Sequence, residues 1–230
     1  MRFRAILMDN DGTLMDFKAA EANALRSVLT GLKIDDPEAV RIYSEINDRC
    51  WKDYEKGLIT QPQLRMRRFE ELMQRYDCSG GEDEVVRAAE AYVEELSRQS
   101  VLLPGALDAV QTISQRLPVV ILTNGISYVQ HGRIDRSPLA PYLSGLLISS
   151  EVGAPKPAPD MYLKALELLD IEPYEALMIG DSLSSDITGA INIGIPACWY
   201  NPEHKPRPEG MKIEFEIDRI DQMAEVALID

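Results

Sequence analysis

Two aspartates, Asp9 and Asp11, follow directly on the apolar run AILM near the start of the chain. Gly12 comes next and permits a tight turn, so the two carboxylates can converge on one site. A carboxylate in such a site can act as a nucleophile or as a general acid and base. An isolated pair of this kind is more often a solvated acidic turn, so its interpretation depends on the rest of the chain.

Further polar groups follow later apolar runs. Thr123 and Asn124 end the run VVILTN and offer a hydroxyl and an amide that can hold a phosphate oxygen. Lys156 stands between two prolines, with its ammonium free to reach a phosphate. Asp181 ends the run LMIGD, and Asp186 follows near the start of the next helix. Each feature alone also fits a turn, a surface lysine or a helix cap, and their order along the chain is what favours a shared site.

The elements that must position these residues are visible in the apolar pattern. Runs bounded by polar, glycine or proline residues predict strands at 3–8, 118–122, 146–149, 176–179 and 195–199. Helical spacing predicts helices at 106–115, 160–169 and 186–192. This alternation predicts an α/β fold with a Rossmann-like, doubly wound parallel sheet. Because ligands bind at the carboxyl ends of strands in such sheets, the polar groups are expected at one edge.

The stretch after the first strand has a different pattern. It contains few β-branched runs and predicts helices at 19–32, 37–56, 61–76 and 83–98, with proline near the first turn of two of them. We therefore predict a core formed by residues 1–16 and 98–230 and an inserted all-helical domain formed by residues 17–97.

Composition excludes several classes of protein. A hydrophobic content of 45% is enough for a packed interior, and the first apolar run is too short for a signal peptide or a membrane span. The formal net charge of -14 disfavours nucleic-acid polymers and anionic membranes as partners. The three cysteines show no CxxC spacing, so we expect reduced thiols and a cytoplasmic location. The sequence gives no indication of the oligomeric state.

The order of DNDGTL, LTNG, Lys156 and GDSLSSD resembles the four motifs of the haloacid dehalogenase (HAD) superfamily of aspartate-nucleophile phosphohydrolases. The helical segment looks like the cap that this superfamily places between its first and second motifs. The resemblance implies a phosphatase that acts on a small phosphorylated metabolite through an aspartyl-phosphate.

The same resemblance assigns roles to individual residues. Asp9 would attack phosphorus, and Asp11 would protonate the leaving oxygen and then activate water. For the first task Asp11 must carry a proton, which neighbouring carboxylates would favour. Thr123 and Lys156 would neutralise the transferring phosphoryl group, and Asn124 would help to bind it.

A metal ion is also implied. Two carboxylates roughly 4 Å apart repel by about 4 kcal/mol at an effective dielectric of about 20, and a phosphate dianion adds to this repulsion. Mg²⁺ is expected at Asp9, the backbone carbonyl of Asp11 and Asp181, with waters completing an octahedron. Asp186 would lie behind these ligands or assist the metal.

Several stretches resemble one branch of the superfamily, the pyrimidine 5′-nucleotidases. They are TNGISYVQHGRI, GDSLSSDITGAINIGI, CWYNPEHK, which contains Trp199 and Asn201, and WKDYEKGLITQPQLRMRRF in the helical segment. Nucleoside 5′-monophosphates are therefore the predicted substrates. Trp51 and Tyr54 are three residues apart, so a helix puts them on one face, where they can stack on a base or join cap to core. The nearby arginines, Arg65, Arg67 and Arg68, can face the substrate or form a solvated helix face.

Other functions fit the sequence less well. A receiver domain of a response regulator places its phosphoacceptor and acidic pair on different strands, and is about half as long as this chain. A dehalogenase needs neither the second acid Asp11 nor Mg²⁺. A phosphonatase needs a Schiff-base lysine in the cap, where Lys52 and Lys56 are unmarked. A sugar phosphomutase shares all four motifs, so it and a sugar-phosphate phosphatase remain alternatives. A non-catalytic relative would be expected to have lost a motif residue.

Overall fold

The computed structural model describes residues 1–78 and 80–230. Six strands form one sheet, and each pair of neighbours is parallel. The strands are β1 (Ala5–Met8), β2 (Val119–Thr123), β3 (Gly145–Ile148), β4 (Ala176–Gly180), β5 (Ala197–Tyr200) and β6 (Phe215–Ile217), in the order β3-β2-β1-β4-β5-β6. This order has its topological switch point between β1 and β4, the position where such sheets bind ligands.

Helices cover both faces of the sheet, which confirms the predicted doubly wound α/β fold. They are α5 (Ala106–Ser114), α6 (Ser127–Asp135), α7 (Ser149–Val152), α8 (Pro159–Leu169), α9 (Thr188–Asn192) and α10 (Gln222–Ala227). Helices α5 and α10 pack on one face and α8 and α9 on the other. The four residues of β1 are all fully buried, because strands covered on both faces need a continuous apolar run.

Four helices lie between β1 and α5: α1 (Phe17–Gly31), α2 (Ala39–Glu55), α3 (Gln61–Arg75) and α4 (Gly81–Ser97). Local sequence sets their starts. Asp16 caps α1 by accepting from the backbone of Ala19 at 2.9 Å, and Thr60 and Gln63 form a capping box at α3. The four helices share one apolar cluster, which Val129 of α6 joins from the sheet side.

Several parts of the core differ from the sequence prediction, among them helices α6, α7 and α10, which were not predicted. The helix predicted at 186–192 is divided into a π-helical turn, Leu183–Ile187, and the short helix α9. Strand β6 was not predicted, because its three residues include the exposed Glu216 and form no apolar run. Among the described residues, no helix combines the length and the apolar character that a membrane crossing requires.

Candidate active site

Three neighbouring strands bring polar side chains to one edge of the sheet. Asp9 follows β1 directly, Thr123 is the last residue of β2, and Asp181 follows β4 directly. Since β2, β1 and β4 are adjacent and parallel, their carboxyl ends meet there. The three residues also line one cavity of about 210 Å³. The structure thus brings together residues that lie far apart along the chain.

Lys156 lies at the centre of this edge. Its Nζ donates to Oδ1 of Asp9 at 2.7 Å, to Oδ1 of Asp186 at 2.6 Å and to the carbonyl of Leu122 at 2.7 Å. An ammonium has three donors, and here each of them has an acceptor. Burial alone would lower the pKa of Lys156, but the carboxylates of Asp186 and Asp9 more than offset this and raise it. Lys156 is therefore a fixed positive charge inside the site.

Asn124 holds the loop that carries this lysine. Its Nδ2 donates to the carbonyl of Lys156 at 2.8 Å, and its Oδ1 accepts from the Lys156 backbone N–H at 2.7 Å. The amide also reaches Oε1 of Glu55, at the end of α2, at 3.3 Å. Burial raises the pKa of Glu55. The side chain of Asn124 lines the cavity, but its main contacts fix the lysine loop, a role that the sequence did not indicate.

Asp9, Asp181 and Asp186 form an acidic cluster. Each offers a carboxylate oxygen, and these oxygens lie within 4.8 Å of one another. Burial raises the pKa of Asp9 well above its ordinary value and that of Asp181 to about 7. Lys156 offsets one of the three negative charges, and a divalent cation would offset the other two. Oxygen donors at this spacing suit Mg²⁺, so the residues fit such an ion.

Asp186 contributes differently from the other two. Its Oδ1 accepts from Lys156, and its Oδ2 accepts from the backbone N–H of Ser182 at 3.0 Å. The π-helical turn thus places a carboxylate whose oxygens are both engaged by the protein. All three aspartates line the cavity, but both oxygens of Asp186 already accept from protein donors.

Gly12 lies against Asp181. Its φ is +90°, and a Cβ built at this position would come within 2.7 Å of Oδ2 of Asp181. Thr13, next in the chain, donates from its hydroxyl to Oδ1 of Asp181 at 3.3 Å and accepts from the Asp181 backbone N–H at 3.1 Å. The loop after β1 therefore needs a glycine and a hydroxyl residue in order to fit beside the carboxylate.

Asp11 has hydrogen-bond partners that its sequence pattern does not predict. Its Oδ1 accepts from Nη1 of Arg133 at 2.5 Å, and its Oδ2 accepts from Nε2 of Gln130 at 2.8 Å. Other carboxylates were expected beside Asp11, but its direct neighbours are a guanidinium and an amide. Arg133 and Gln130 lie three residues apart on α6, within the stretch VQHGR. This spacing alone is common on helices, so the sequence offered no specific signal for the contact.

The helical segment supplies the opposite wall of the cavity. Phe17, Trp51, Glu55, Arg68 and Leu96 line it together with core residues. At the rim, Nε2 of Gln61 donates to the carbonyl of Gly125 at 3.0 Å and so joins α3 to the loop after β2. The site thus lies between the sheet edge and α1–α4.

Not all of the aromatic and basic residues singled out in the sequence reach this cavity. Trp51 is among the described residues that line the cavity, and Tyr54 is not. Tyr54 packs edge-on against Trp51, with ring centroids 5.7 Å apart. Arg67 is partly buried and forms salt bridges with Asp53 of α2 and Glu71 of its own helix. Tyr54 therefore adjoins the cavity wall through Trp51, and its contact with a substrate stays a prediction.

Arg68 is the one of the three arginines that lines the cavity, where it is almost fully buried. Its guanidinium donates to Oδ1 of Asn47 at 3.1 Å and stacks over the ring of Tyr92 at 4.6 Å. Arg65 lies partly exposed on the same helix.

Trp199 and Asn201 make hydrogen bonds outside the cavity. The indole Nε1 of Trp199 donates to the carbonyl of Asp181 at 3.0 Å, and the ring is almost fully buried. Asn201 holds its own loop through Lys205 and Glu216. Trp199 therefore packs in the core and fixes the loop after β4.

Most of the chain matches one known protein family. Residues 3–194 match the family model of haloacid dehalogenase-like hydrolases. The chain belongs to this family. Its candidate site lies within the matched residues. The site combines an aspartate after β1 with a lysine and two further aspartates from later loops.

Relatives of this HAD-like hydrolase include enzymes named for their substrates. It is 31% identical to the pyrimidine 5′-nucleotidase YjjG of Escherichia coli, over 98% of each chain. It is 35% identical to the pyrimidine 5′-nucleotidase PynA of Streptococcus pneumoniae, over 89% of this chain and 86% of the relative. A magnesium-bound crystal structure of YfnB from Bacillus subtilis, described as a HAD-hydrolase, covers all of both chains with a TM-score of 0.91 and 29% identity.

Proposed function

We propose that this HAD-like hydrolase is a Mg²⁺-dependent phosphatase that transfers the phosphoryl group of a small monoester to Asp9 and then to water. The observation that carries the proposal is the environment of Asp9. Its carboxylate lies beside the buried Lys156 ammonium and within an acidic cluster, at the floor of a cavity large enough for a phosphate group. A nucleophile for phosphoryl transfer needs this combination of cation and metal ligands.

The chain's own groups account for both steps. Lys156 holds Oδ1 of Asp9, which leaves Oδ2 to attack phosphorus. Asp11, which lines the same cavity, protonates the leaving oxygen as the P–O bond breaks. In the second step its carboxylate takes a proton from the water that attacks the phosphorus of the aspartyl-phosphate. The Thr123 hydroxyl and the Lys156 ammonium neutralise charge on the transferring group.

The metal would be held by Asp9, Asp181 and the backbone carbonyl of Asp11. When bound, Mg²⁺ supplies Lewis-acid stabilisation to the phosphoryl oxygens. Asp186 accepts from Lys156 and from the Ser182 backbone, so in this proposal it orients the lysine and leaves the direct contacts to the other two aspartates.

For the substrate we propose nucleoside 5′-monophosphates, with pyrimidine nucleotides preferred over purine nucleotides. Residues 17–97 act as the cap over a core formed by residues 1–16 and 98–230. The sheet edge holds phosphate alone, so the preference has to come from the cap wall. There Trp51 and Phe17 present aromatic surface to the cavity, on which a base can stack. The names of the relatives YjjG and PynA support this assignment.

Steady-state kinetics on UMP, dTMP, AMP, glucose 6-phosphate and β-glucose 1-phosphate test the proposal. We expect the highest kcat/KM on the pyrimidine nucleotides. Trp51→Ala should raise KM for UMP by about tenfold, which corresponds to a stacking contribution of about 1.4 kcal/mol. The matched control is Tyr174→Ala, which removes an exposed aromatic side chain outside the cavity. This substitution should leave KM for UMP unchanged.

Two results would contradict the substrate assignment. A higher kcat/KM on a hexose phosphate than on every nucleotide would favour a sugar-phosphate phosphatase. Conversion of β-glucose 1-phosphate to glucose 6-phosphate without release of phosphate would favour a phosphomutase. The aspartyl-phosphate mechanism would survive both results.

A further inference from the structure

The carboxyl group of Asp11 is clamped at both oxygens by two residues of α6. Arg133 and Gln130 are both almost fully buried, whereas the side chain of Asp11 is 22% exposed and lines the cavity. The clamp therefore lies on the protein side of the carboxyl group and leaves its other side facing the cavity. A carboxyl group has about four acceptor positions, so two donors leave room for a proton and for a substrate.

The clamp is itself held in place. The Oε1 of Gln130 accepts from Nδ2 of Asn10 at 2.7 Å, which fixes the orientation of its amide. The Nε of Arg133 donates to the carbonyl of Gln99 at 2.8 Å, in the segment that leads from α4 back to the sheet. Both clamping residues thus have a second contact that is independent of Asp11, and their donors point at Asp11 from fixed positions.

The choice of an arginine here has a physical consequence. Burying a guanidinium is costly unless it is paired, and the carboxylate that pairs with Arg133 belongs to the residue proposed to transfer protons. In the same site Lys156 donates to Asp9, the proposed nucleophile. Among the hydrogen bonds of the described residues, Lys156 makes none with Asp11. The two cations therefore act on different carboxylates.

We propose that Arg133 and Gln130 are positioning residues that hold the Asp11 carboxyl group in line for proton transfer to the leaving oxygen. The inference rests on the proposed phosphatase function. The proton of Asp11 passes to the leaving oxygen as the P–O bond breaks, and the guanidinium pairs with the carboxylate that remains. Neither clamping residue touches the substrate in this account.

This role predicts a dependence on the leaving group. A nucleoside leaves as an alkoxide and needs a proton, whereas p-nitrophenolate is stable enough to leave without one. General acid catalysis contributes about 10²- to 10⁴-fold, so losing the position of the acid should cost part of that factor for UMP and little for p-nitrophenyl phosphate. The ratio kcat/KM reports the steps up to departure of the leaving group, so it excludes the later hydrolysis step.

The experiment measures kcat/KM on UMP and p-nitrophenyl phosphate for the wild type, Arg133→Met, Arg133→Lys and Gln130→Met. We expect Arg133→Met to lower the value by about 10- to 100-fold on UMP and by less than about threefold on p-nitrophenyl phosphate. Arg133→Lys should recover part of the loss. The control is Arg136→Met, since Arg136 is exposed and its guanidinium contacts the carbonyl of Gly132.

A double-mutant cycle separates positioning from a structural effect. If Arg133 acts through Asp11, Arg133→Met should cause no further loss of kcat/KM on UMP when Asp11 is already Asn. Equal losses on the two esters, or a full additional loss in the Asp11→Asn background, would overturn the inference. If Arg133→Met fails to fold, Gln130→Met and Arg133→Lys carry the same comparison. A wild type that hydrolyses no phosphate ester would refute the proposed function itself. If the wild type is active but Arg133→Met lowers kcat/KM equally on both esters, only the positioning role is refuted.

Discussion

Replacement of Asp181 by asparagine should stabilise the metal-free protein while removing one of the proposed metal ligands. Burial raises the pKa of Asp181 to about 7 from an ordinary value of 3.8. At about 1.4 kcal/mol per pH unit, keeping this carboxyl ionised at pH 8 costs up to about 4 kcal/mol of folding free energy. Water that enters the site reduces this cost, so we expect Asp181→Asn to raise the free energy of unfolding by about 1–3 kcal/mol.

The sign of the pH dependence follows from the direction of the shift. Below about pH 3.8 the carboxyl is protonated in both the folded and the unfolded chain, so it carries no penalty. Between there and about pH 7 this carboxyl binds more protons in the folded than in the unfolded chain, so its contribution to the stability of the wild type falls as pH rises. The advantage of Asp181→Asn should therefore grow over this range and level off above about pH 7.

Urea denaturation in EDTA, at several pH values between 4 and about 8, measures this difference. Asp35→Asn is the control, since Asp35 is exposed in the loop between α1 and α2. A difference between wild type and Asp181→Asn that does not change with pH, or a variant less stable than wild type at pH 8, would refute the reasoning.

Three further outcomes are expected. Lys156→Met should abolish turnover and lower the free energy of unfolding by about 3–5 kcal/mol, because it leaves buried carboxylates unpaired. Activity assays and urea denaturation measure the two effects, and an active variant would contradict this. Chelation by EDTA should remove activity and added Mg²⁺ should restore it, whereas full activity after exhaustive chelation would favour a metal-free mechanism. Gly12→Ala should weaken Mg²⁺ binding in calorimetric titration, because its Cβ would meet Asp181; Gly57→Ala, which has a similar positive φ but open space around it, should not.

The fold could be predicted from the sequence where burial leaves a continuous apolar run. Strands such as β1 and β4 are covered on both faces, so they read directly as AILM and ALMIG. Strand β6 could not be predicted, because it has three residues and lies at the edge of the sheet. The π-helical turn at 183–187 also has no periodic signal, since it depends on contacts of Asp186 and Tyr162 that arise only in the folded chain.

The same distinction holds for the candidate site. Asp9, Thr123 and Asp181 were placed together from sequence, because each ends a strand and parallel strands share one edge. The contacts of Asp11 were not predicted, since Arg133 lies 122 residues away and no local pattern links a guanidinium on one helix to a carboxylate in a distant loop. Tyr54 shares a helix face with Trp51 and packs edge-on against its ring, a side-chain contact that spacing alone does not specify.

Direct trapping of the aspartyl-phosphate tests the central claim, that Asp9 is the nucleophile. The enzyme is mixed with substrate labelled in its phosphoryl group, quenched in acid during turnover, digested and sequenced by mass spectrometry. We predict one labelled peptide, with the phosphoryl group on Asp9 and released by hydroxylamine, and no label in the Asp9→Asn variant. Label on another residue, or an Asp9→Asn variant that retains more than about a hundredth of the activity, would contradict the account.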